Sequence, residues 1–318
     1  MNKRVIALLS GGISSEREVS LNSGNQVFEA LDKEKYEIRR YDPKTDLARL
    51  VAEAPDIDFA LIILHGPFGE DGTVQGMLDL LGIPYQGAGV LGSSVAMNKL
   101  TAKRLYEKAD IPVPPYLVAD AHHTVTEDLV LEHIGLPVVV KPAQSGSSIG
   151  LTIVREPDQL DGALETGFRH DHTLLVERCV EGTELTVGVI GNDSLEALPL
   201  IEIVPGEGYE YFDYDAKYLP GATTEICPAR VSDSVTGRAQ ALAKKAHETL
   251  FLRGYSRTDM ILEGDDLFVL ETNTIPGMTQ TSLFPQAAAE AGLNFSQLLD
   301  RLIELGLEDD RSAHRQPR

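Results

Sequence analysis

Three short strand-like segments alternate with helical patterns in the first 64 residues, and this alternation constrains the fold most. The segments RVIALL (4–9), YEIRRY (36–41) and FALIIL (59–64) are predicted strands, and helices are predicted near 16–31 and 44–53. Strands separated by single helices pair in parallel, so the pattern predicts a parallel sheet with helices packed on it. Ligands of such α/β sheets gather at the carboxyl ends of the strands.

The rest of the chain predicts two further units. A helix at 97–110 ends at the proline-rich IPVPPY, since proline cannot continue a helix. The second unit has predicted strands at 116–119, 137–141, 149–154 and 173–177 and helices near 124–133 and 156–168. The third has strands at 184–190, 197–204, 255–262 and 266–271, a helix at 232–252, and a long loop at 205–222 rich in Gly, Tyr and Asp. The predicted domains are therefore residues 1–95, 96–179 and 180–318.

Charge and cysteine content exclude several classes of protein. The 318-residue chain carries 49 acidic and 28 basic residues, a formal net charge of −21. Nucleic acids and anionic membrane surfaces require a basic face, so neither is an expected partner. The two cysteines, Cys179 and Cys227, form no C-x-x-C pair, as is typical of free thiols in a reducing compartment. The longest apolar run, FALIIL, is far shorter than a membrane span, and a cytoplasmic location is expected.

The segment KPAQSGSSIG (141–150) lies between two predicted strands. It contains the lysine, glycines and small residues that a phosphate cradle uses, but it is not a P-loop, because the lysine comes first and a strand follows. The segment therefore predicts either a hairpin lid over phosphates or an ordinary surface hairpin, and the residues alone favour neither.

A cluster of carboxylates lies in RTDMILEGDDLFVLETN (257–273). A turn centred on Asp265 would place Asp259 opposite Glu271 on one face of an antiparallel pair, with Arg257 two residues away. Asn273 continues the series, and Met260, Leu262, Phe268 and Leu270 are predicted to fill the opposite face. Facing carboxylates with an amide oxygen are ligands suited to Mg²⁺ bound with nucleotide phosphates, which we favour over an exposed acidic rim.

Two loops of the first unit contain weaker candidates. In SGGISSEREVS, Ser15 and Glu18 match a capping box, which explains Glu18 and leaves Glu16 as a candidate only. His65 follows the third strand, where it could contact a substrate or serve as a hydrogen-bonded structural residue.

Together these motifs resemble the D-alanine–D-alanine ligases of the ATP-grasp superfamily. The resemblance extends from about residue 3 to 306, and its motifs occur in the family's order. They are SSEREVSLNSG (14–24), LHGPFGEDGTVQG (64–76), MNKL (97–100), VVKPAQSGSSIG (139–150), ERCVEGTELTV (177–187), YDAKYLPG (214–221), RTDMIL (257–262) and ETNTIPGMTQTSL (271–283). The resemblance implies an α/β fold: an N-terminal Rossmann-like parallel-sheet domain, followed by a two-domain ATP-grasp fold.

The resemblance also implies an ATP and metal site. KPAQSGSSIG would be the lid over the ATP phosphates, with adenine between the second and third domains. The implied nucleotide-binding residues are Lys99, Lys141, Ser148, Glu177, Arg178, Val180, Glu184 and Phe212. Asp259, Glu271 and Asn273 match the family's ligands for Mg²⁺ or Mn²⁺, with two ions expected, and some relatives also use a monovalent cation such as K⁺.

The implied reaction joins two D-alanine molecules for peptidoglycan precursor synthesis. ATP phosphorylates the carboxylate of the first D-alanine, and the amine of the second attacks the acyl phosphate. Glu16 would bind the first ammonium, Arg257 and the Gly277 N–H would stabilise the oxyanion, and a triad of Ser147, Tyr218 and Glu16 would close the site. The remaining implied substrate-binding residues are Val19, His65, Lys217, Ser282 and Leu283.

The resemblance leaves three questions about specificity and assembly. Tyr218 favours an amine as the nucleophile, but a ligase of D-alanine with D-serine is less securely excluded. A nucleotide-binding regulatory protein without catalysis would have lost some metal ligands or Arg257, and all of these are present. A homodimer is expected from the family alone.

Overall fold

Three β-sheets organise the chain. The computed structural model describes residues 3–144, 146, 149–206 and 223–313, with the backbone alone from 309 onward. The first sheet is parallel and the other two are antiparallel, which confirms the predicted fold class. The predicted domain boundaries at residues 95 and 179 stay predictions.

The N-terminal sheet is parallel, in the order β2–β1–β3. Most of β1 and all of β3 are buried because helices and the C-terminal part of the chain cover both faces, whereas only the end residues of β2, Tyr36 and Tyr41, are buried. The strands are β1 (Arg4–Ser10), β2 (Tyr36–Tyr41) and β3 (Phe59–Ile63); the helices are α1 (Arg17–Ala30), α2 (Leu47–Glu53), α3 (Thr73–Leu81) and α4 (Val90–Met97).

The predicted capping box at Ser15 was wrong. Helix α1 begins at Arg17, so Glu16 occupies the N-cap position and Ser15 lies one residue before it. The Ser14 hydroxyl accepts a hydrogen bond from the Glu16 N–H at 3.3 Å and donates one to the His65 carbonyl at 2.7 Å. The start of α1 is thereby tied to the loop after β3.

The middle sheet has the order β4–β7–β5–β6 and is antiparallel throughout. Helix α5 precedes it, and the Asn98 side chain caps α5 by accepting from the Thr101 N–H at 2.9 Å. The elements are α5 (Lys99–Lys108), β4 (Tyr116–Ala119), α6 (Glu127–His133), β5 (Val138–Pro142), β6 (Thr152–Val154), α7 (Leu160–Phe168) and β7 (Leu174–Arg178).

The C-terminal sheet has the order β11–β10–β8–β12–β13, and the short β9 pairs with β8. Strand β12 lies between β8 and the edge strand β13, and it contains Arg257 and Asp259. The elements are β8 (Thr183–Gly191), β9 (Glu196–Ala197), β10 (Ile201–Pro205), β11 (Thr223–Ile226), α8 (Asp233–Thr249), β12 (Gly254–Glu263), β13 (Asp266–Asn273), α9 (Leu283–Glu290) and α10 (Phe295–Ala313).

One apolar core joins the first and third sheets. Leu8 and Phe59 of the parallel sheet share it with Tyr255 of β12, Phe284 of α9 and Leu298 of α10. The Tyr255 and Phe284 rings meet edge to face with centroids 5.4 Å apart. Because burial of this shared apolar surface favours a fixed arrangement, the loops after β1 and β3 lie against the end of β13.

None of the helices in the described ranges combines the length and the apolar character that crossing a membrane requires.

Candidate functional site

Two cavities meet where the three sheets converge. The first, of about 640 Å³, lies between the middle and C-terminal sheets. The second, of about 480 Å³, lies between the N-terminal loops and the start of α9. Lys99 and Glu271 line both cavities, and their side chains pair across the junction with Nζ 3.1 Å from Oε2. The two cavities are therefore adjacent at this pair.

The larger cavity contains the predicted nucleotide-binding residues that the structure describes. The pairing of β5 with β6 is antiparallel, as the hairpin prediction for KPAQSGSSIG requires, and Lys141 lies at the end of β5. Helix α5 and the segment from β7 to β8 form further parts of the cavity wall. The predicted nucleotide-binding residues that line this cavity are Lys99, Lys141, Glu177, Arg178, Val180 and Glu184. The Arg178 guanidinium turns away to pair with Glu263 at 2.9 Å.

Glu177 is held by two lysines. Its carboxylate is buried, with Oε2 2.9 Å from the Lys141 Nζ and Oε1 3.3 Å from the Lys103 Nζ. Burial alone would raise the pKa of the Glu177 carboxyl, but the two ammonium groups outweigh it and lower that pKa. The cavity thus has a fixed negative charge at one wall, flanked by positive charges.

The predicted carboxylate pair forms on strands β12 and β13. Asp259 lies opposite Glu271, and Arg257 lies opposite Asn273. The prediction assumed a turn centred on Asp265, whereas Glu263 in fact pairs with Asp266. An irregularity between Asp259 and Met260 shifts the register by one residue and restores the predicted pairing at the site.

That register shift makes part of the facing prediction wrong. Met260 and Leu262 do face the core side, but their partners are Val269 and Leu267, both buried. Phe268 and Leu270 were predicted to join them. Instead, Leu270 lines the larger cavity and the Phe268 ring packs against the Arg178 guanidinium, 5.0 Å from centroid to Cζ. The side facing the larger cavity is therefore less acidic and more apolar than the sequence indicated.

Asp259, one of the predicted metal ligands, accepts four side-chain hydrogen bonds. It accepts from Arg257 Nε at 2.8 Å and Nη2 at 2.7 Å, from Thr186 Oγ1 at 2.6 Å and from Asn273 Nδ2 at 3.0 Å. Its partner across the ladder, Glu271, pairs with Lys99. Cationic side chains thus stand beside both carboxylates.

The donor set fits a hard divalent cation. Two carboxylates from facing positions and an amide from the end of β13 offer oxygen ligands of the kind that Mg²⁺ prefers. Within the described ranges, no three His, Cys, Asp or Glu side chains cluster as a metal site would require. The third predicted ligand, Asn273, is not one of these four residue types. A site in which phosphate oxygens supply the remaining ligands therefore agrees with both the donor set and the absence of such a cluster among the described residues.

Glu16 lies at the wall of the smaller cavity, next to the predicted lid. Its side chain is buried, and a Cβ added at Gly66 would lie 2.8 Å from its Oε2, while one added at Gly146 would lie 3.1 Å away. Gly66 adopts a φ of +71°, a conformation that favours glycine. The lid glycine and the loop after β3 therefore converge on one carboxylate oxygen.

His65 and Glu70 lie beside Glu16 on the loop after β3. Burial lowers the pKa of His65, so its imidazole is neutral at pH 7, and its Nε2 is buried with no partner among the described residues. Burial, followed by the charge of Glu16, raises the pKa of Glu70 to about 8. Glu70 Oε2 accepts from the Gly66 N–H at 2.5 Å. Glu70 was not selected in the sequence analysis. The only signal for it was the presence of a carboxylate five residues after His65 in the same loop.

The start of α9 closes the far side of the smaller cavity. Ser282 is the N-cap of this helix, and its hydroxyl accepts from the Thr279 N–H at 3.1 Å. A Cβ at Gly277 would lie 3.0 Å from the Ser282 Oγ, so the chain approaches closely there. A helix N-terminus favours an anion, which makes this wall a suitable place for a carboxylate. From this side, the predicted residues that line the cavity are Arg257, Asn273, Gly277, Ser282 and Leu283.

Every predicted site residue in the described ranges lines one of the two cavities, including Val19 of α1. The predictions for Ser147, Ser148, Phe212, Lys217 and Tyr218 fall outside the described residues. Lys103, which sequence reasoning also missed, lies one helical turn after Lys99 on α5, and that spacing was its only signal.

Comparison with known proteins identifies the family. The family model described as "D-ala D-ala ligase C-terminus" matches residues 105–304, and "D-ala D-ala ligase N-terminus" matches residues 42–88. A D-alanine–D-alanine ligase of Syntrophobacter fumaroxidans is 65% identical over 307 residues, covering 96% of this chain and 99% of the relative. The chain belongs to the D-alanine–D-alanine ligase family. The family predicted from the motifs is thereby confirmed.

Other D-alanine–D-alanine ligases and their structures agree in fold. A relative from Desulfotalea psychrophila is 53% identical, with 96% of each chain covered. The crystal structure of the Bacillus anthracis enzyme complexed with ATP has a TM-score of 0.86 at 34% identity, covering 98% of this chain and 99% of that one. The VanG D-Ala:D-Ser ligase of Enterococcus faecalis has a TM-score of 0.82 at 31% identity, covering 96% and 100%. The fold therefore spans ligases with different second substrates.

Proposed function

We propose that this protein joins two D-alanine molecules into D-alanyl-D-alanine at the expense of ATP, supplying a precursor of peptidoglycan. The supporting observation is the junction at Lys99 and Glu271, where a nucleotide-sized cavity lies next to a smaller polar one. A phosphoryl group can pass from ATP to a substrate carboxylate only where two such sites meet.

In the first step, a carboxylate oxygen of the first D-alanine attacks the γ-phosphorus of ATP, and ADP leaves. Glu16 holds the substrate ammonium, with His65 nearby, because a buried carboxylate favours a cation. Lys99 and Lys141 hold phosphate oxygens, and Ser148 of the lid contributes further contacts. Asp259, Glu271 and Asn273 would hold Mg²⁺ or Mn²⁺, which neutralises phosphate charge when bound.

In the second step, the amine of the second D-alanine attacks the acyl carbon, a C–N bond forms and the C–O bond to phosphate breaks. The departing phosphate takes the proton that the amine loses. Arg257 and the Gly277 N–H stabilise the developing oxyanion. The N-terminus of α9, with Ser282 and Leu283, holds the carboxylate of the second substrate. Ser147, Lys217 and Tyr218 complete the closed site, and Val19 and Phe212 contribute apolar contacts to substrate and adenine, respectively.

D-Alanine is the second substrate that the relatives favour. The relatives at 65% and 53% identity are named D-alanine–D-alanine ligases, whereas the D-Ala:D-Ser ligase stands at 31%. We also expect a cytoplasmic homodimer, as in the family. Cys179 and Cys227 form no disulfide in the described part of the chain, which suits a reducing compartment.

The test is product analysis with the purified protein. Incubation with MgATP and D-alanine should release ADP in proportion to D-alanyl-D-alanine, measured by mass spectrometry. L-Alanine, D-serine and D-lactate run in parallel as competing substrates. A preference for D-serine as second substrate would reassign the acceptor, and nucleotide binding without any dipeptide would contradict ligation.

A further inference from the structure

A lysine with no predicted role is fully buried beside the nucleotide cavity. Lys103 of α5 has no exposed surface and is among the largest side chains buried to that degree. Burying an ammonium group is costly unless a carboxylate or another acceptor compensates it. A fully buried lysine therefore requires a reason in the surrounding structure.

The compensating group of Lys103 is the Glu177 carboxylate. The Lys103 Nζ lies 3.3 Å from Oε1 of that carboxylate and 5.6 Å from the centroid of the Tyr116 ring. Burial lowers the pKa of Lys103 to about 8, with Glu177 opposing that shift, so the ammonium form still predominates at pH 7. The pair is a buried ion pair at a cavity wall.

The carboxylate is fixed from two sides. Lys141 pairs with Oε2 at 2.9 Å, and the Lys103 Nζ lies 3.3 Å from Oε1, which is itself buried. Each carboxylate oxygen has two lone pairs, so an ammonium partner does not exhaust its capacity as an acceptor. Because Glu177 also lines the nucleotide cavity, its carboxylate can accept an N–H donor of a ligand while both lysines hold it in place.

We propose that Lys103 is a positioning residue that orients Glu177 to accept the exocyclic amino group of adenine, and that the pair thereby selects 6-amino purine over 6-oxo purine nucleotides. The inference rests on the proposed function, in which ATP occupies this cavity. A 6-oxo purine presents a carbonyl oxygen to the carboxylate in place of a donor. A buried acceptor left without its donor is the kind of loss that rejects such an analogue strongly.

The perturbation is Lys103→Met, which keeps an unbranched chain of similar length and removes the charge. Glu177 then has Lys141 as its only close cation among the described residues, and its carboxylate swings toward it. The KM for ATP should rise roughly tenfold and the preference for ATP over ITP should fall by a similar factor, since one charged hydrogen bond is misaligned. The kcat with ATP should stay within about twofold, because the altered contact is made to adenine, which is bound alike in the ground state and in the transition state.

The experiment measures kcat and KM for ATP and ITP, with saturating D-alanine, in four proteins. Lys108→Met is the matched control, since Lys108 is an exposed lysine on the same helix. Lys103→Arg keeps the charge and should retain most of the preference for ATP. Thermal unfolding of each variant detects a purely structural effect, which would lower the melting temperature without changing the ATP to ITP ratio.

The outcomes distinguish a failure of the proposed function from a failure of the role assigned to Lys103. Wild-type protein that makes no dipeptide contradicts the proposed function, whatever Lys103 does. Wild-type protein that ligates but uses ITP as well as ATP overturns the positioning role without any variant. A Lys103→Met protein that keeps the wild-type ATP to ITP ratio also overturns it. If that variant does not fold, the same comparison is made with Lys103→Arg and Lys103→Gln, and an unchanged ratio in Lys103→Gln has the same meaning.

Discussion

Gly66→Ala tests whether Glu16 must be held in place by the loop after β3. The added Cβ would lie 2.8 Å from the Glu16 Oε2, about half an ångström inside ordinary van der Waals contact. Glu16 is buried, so its carboxylate moves by about that distance rather than swinging into solvent. Misplacement of a binding group by about 1 Å can cost about a hundredfold in rate, so we expect kcat/KM for D-alanine to fall by roughly tenfold.

Gly82→Ala separates this effect from backbone strain. Gly82 has a φ of +66°, close to the +71° of Gly66, but an added Cβ there meets nothing within 4 Å. Both variants should lose about 1 kcal/mol of unfolding free energy from the left-handed conformation. Only Gly66→Ala should lose activity, measured as initial ADP release with D-alanine varied. Equal kcat/KM values in the two variants would refute the placement of Glu16 at the first substrate.

Further predictions concern the carboxylates and the thiols. Asp259→Asn should lower the free energy of unfolding by about 3 kcal/mol, because it places a neutral amide beside the buried Arg257 charge. Urea titration measures the difference, and an unchanged value would mean that the Arg257–Asp259 pair contributes nothing to stability. With a pKa raised to about 8, Glu70 is mostly protonated at pH 7, and it should ionise when the substrate ammonium binds beside it. D-Alanine binding should therefore release protons below about pH 8. Calorimetry in buffers of different ionisation enthalpy measures that release. Glu70→Gln should abolish that release, and a release that persists would assign it to another group. ATP should slow iodoacetamide labelling of Cys179, which lines the nucleotide cavity, whereas Cys227 should react slowly throughout because burial raises the pKa of its thiol to about 11. Labelling of Cys179 at the same rate with and without ATP would contradict the placement of the nucleotide.

The sequence patterns predicted the framework of the site well. The alternation over residues 4–64 is a local pattern of apolar strands and helices, and it gave the parallel sheet directly. The facing of Asp259 and Glu271 followed from the two-residue period of a strand pair. The motifs of the resemblance then identified the family that the comparisons confirm.

The wrong predictions concern positions where tertiary contacts, and not the local sequence pattern, determine the facing, capping or burial of a residue. The register shift beside Met260 breaks strict alternation, so the facing of Phe268 and Leu270 could not be predicted from period alone. The capping box at Ser15 failed because Ser14 bonds the His65 carbonyl, a contact between loops 51 residues apart. The burial of Lys103 depends on Glu177 from another element, and no local pattern reports that pairing.

The most direct test of the account follows oxygen from the substrate into phosphate. D-Alanine labelled with ¹⁸O in its carboxylate is ligated with ATP, and the phosphate and nucleotide products are analysed by mass spectrometry. Attack of the carboxylate on the γ-phosphate predicts ¹⁸O in inorganic phosphate, with ADP unlabelled. Label in AMP, with release of pyrophosphate, would show activation at the α-phosphate. That result would contradict phosphoryl transfer at the junction of Lys99 and Glu271.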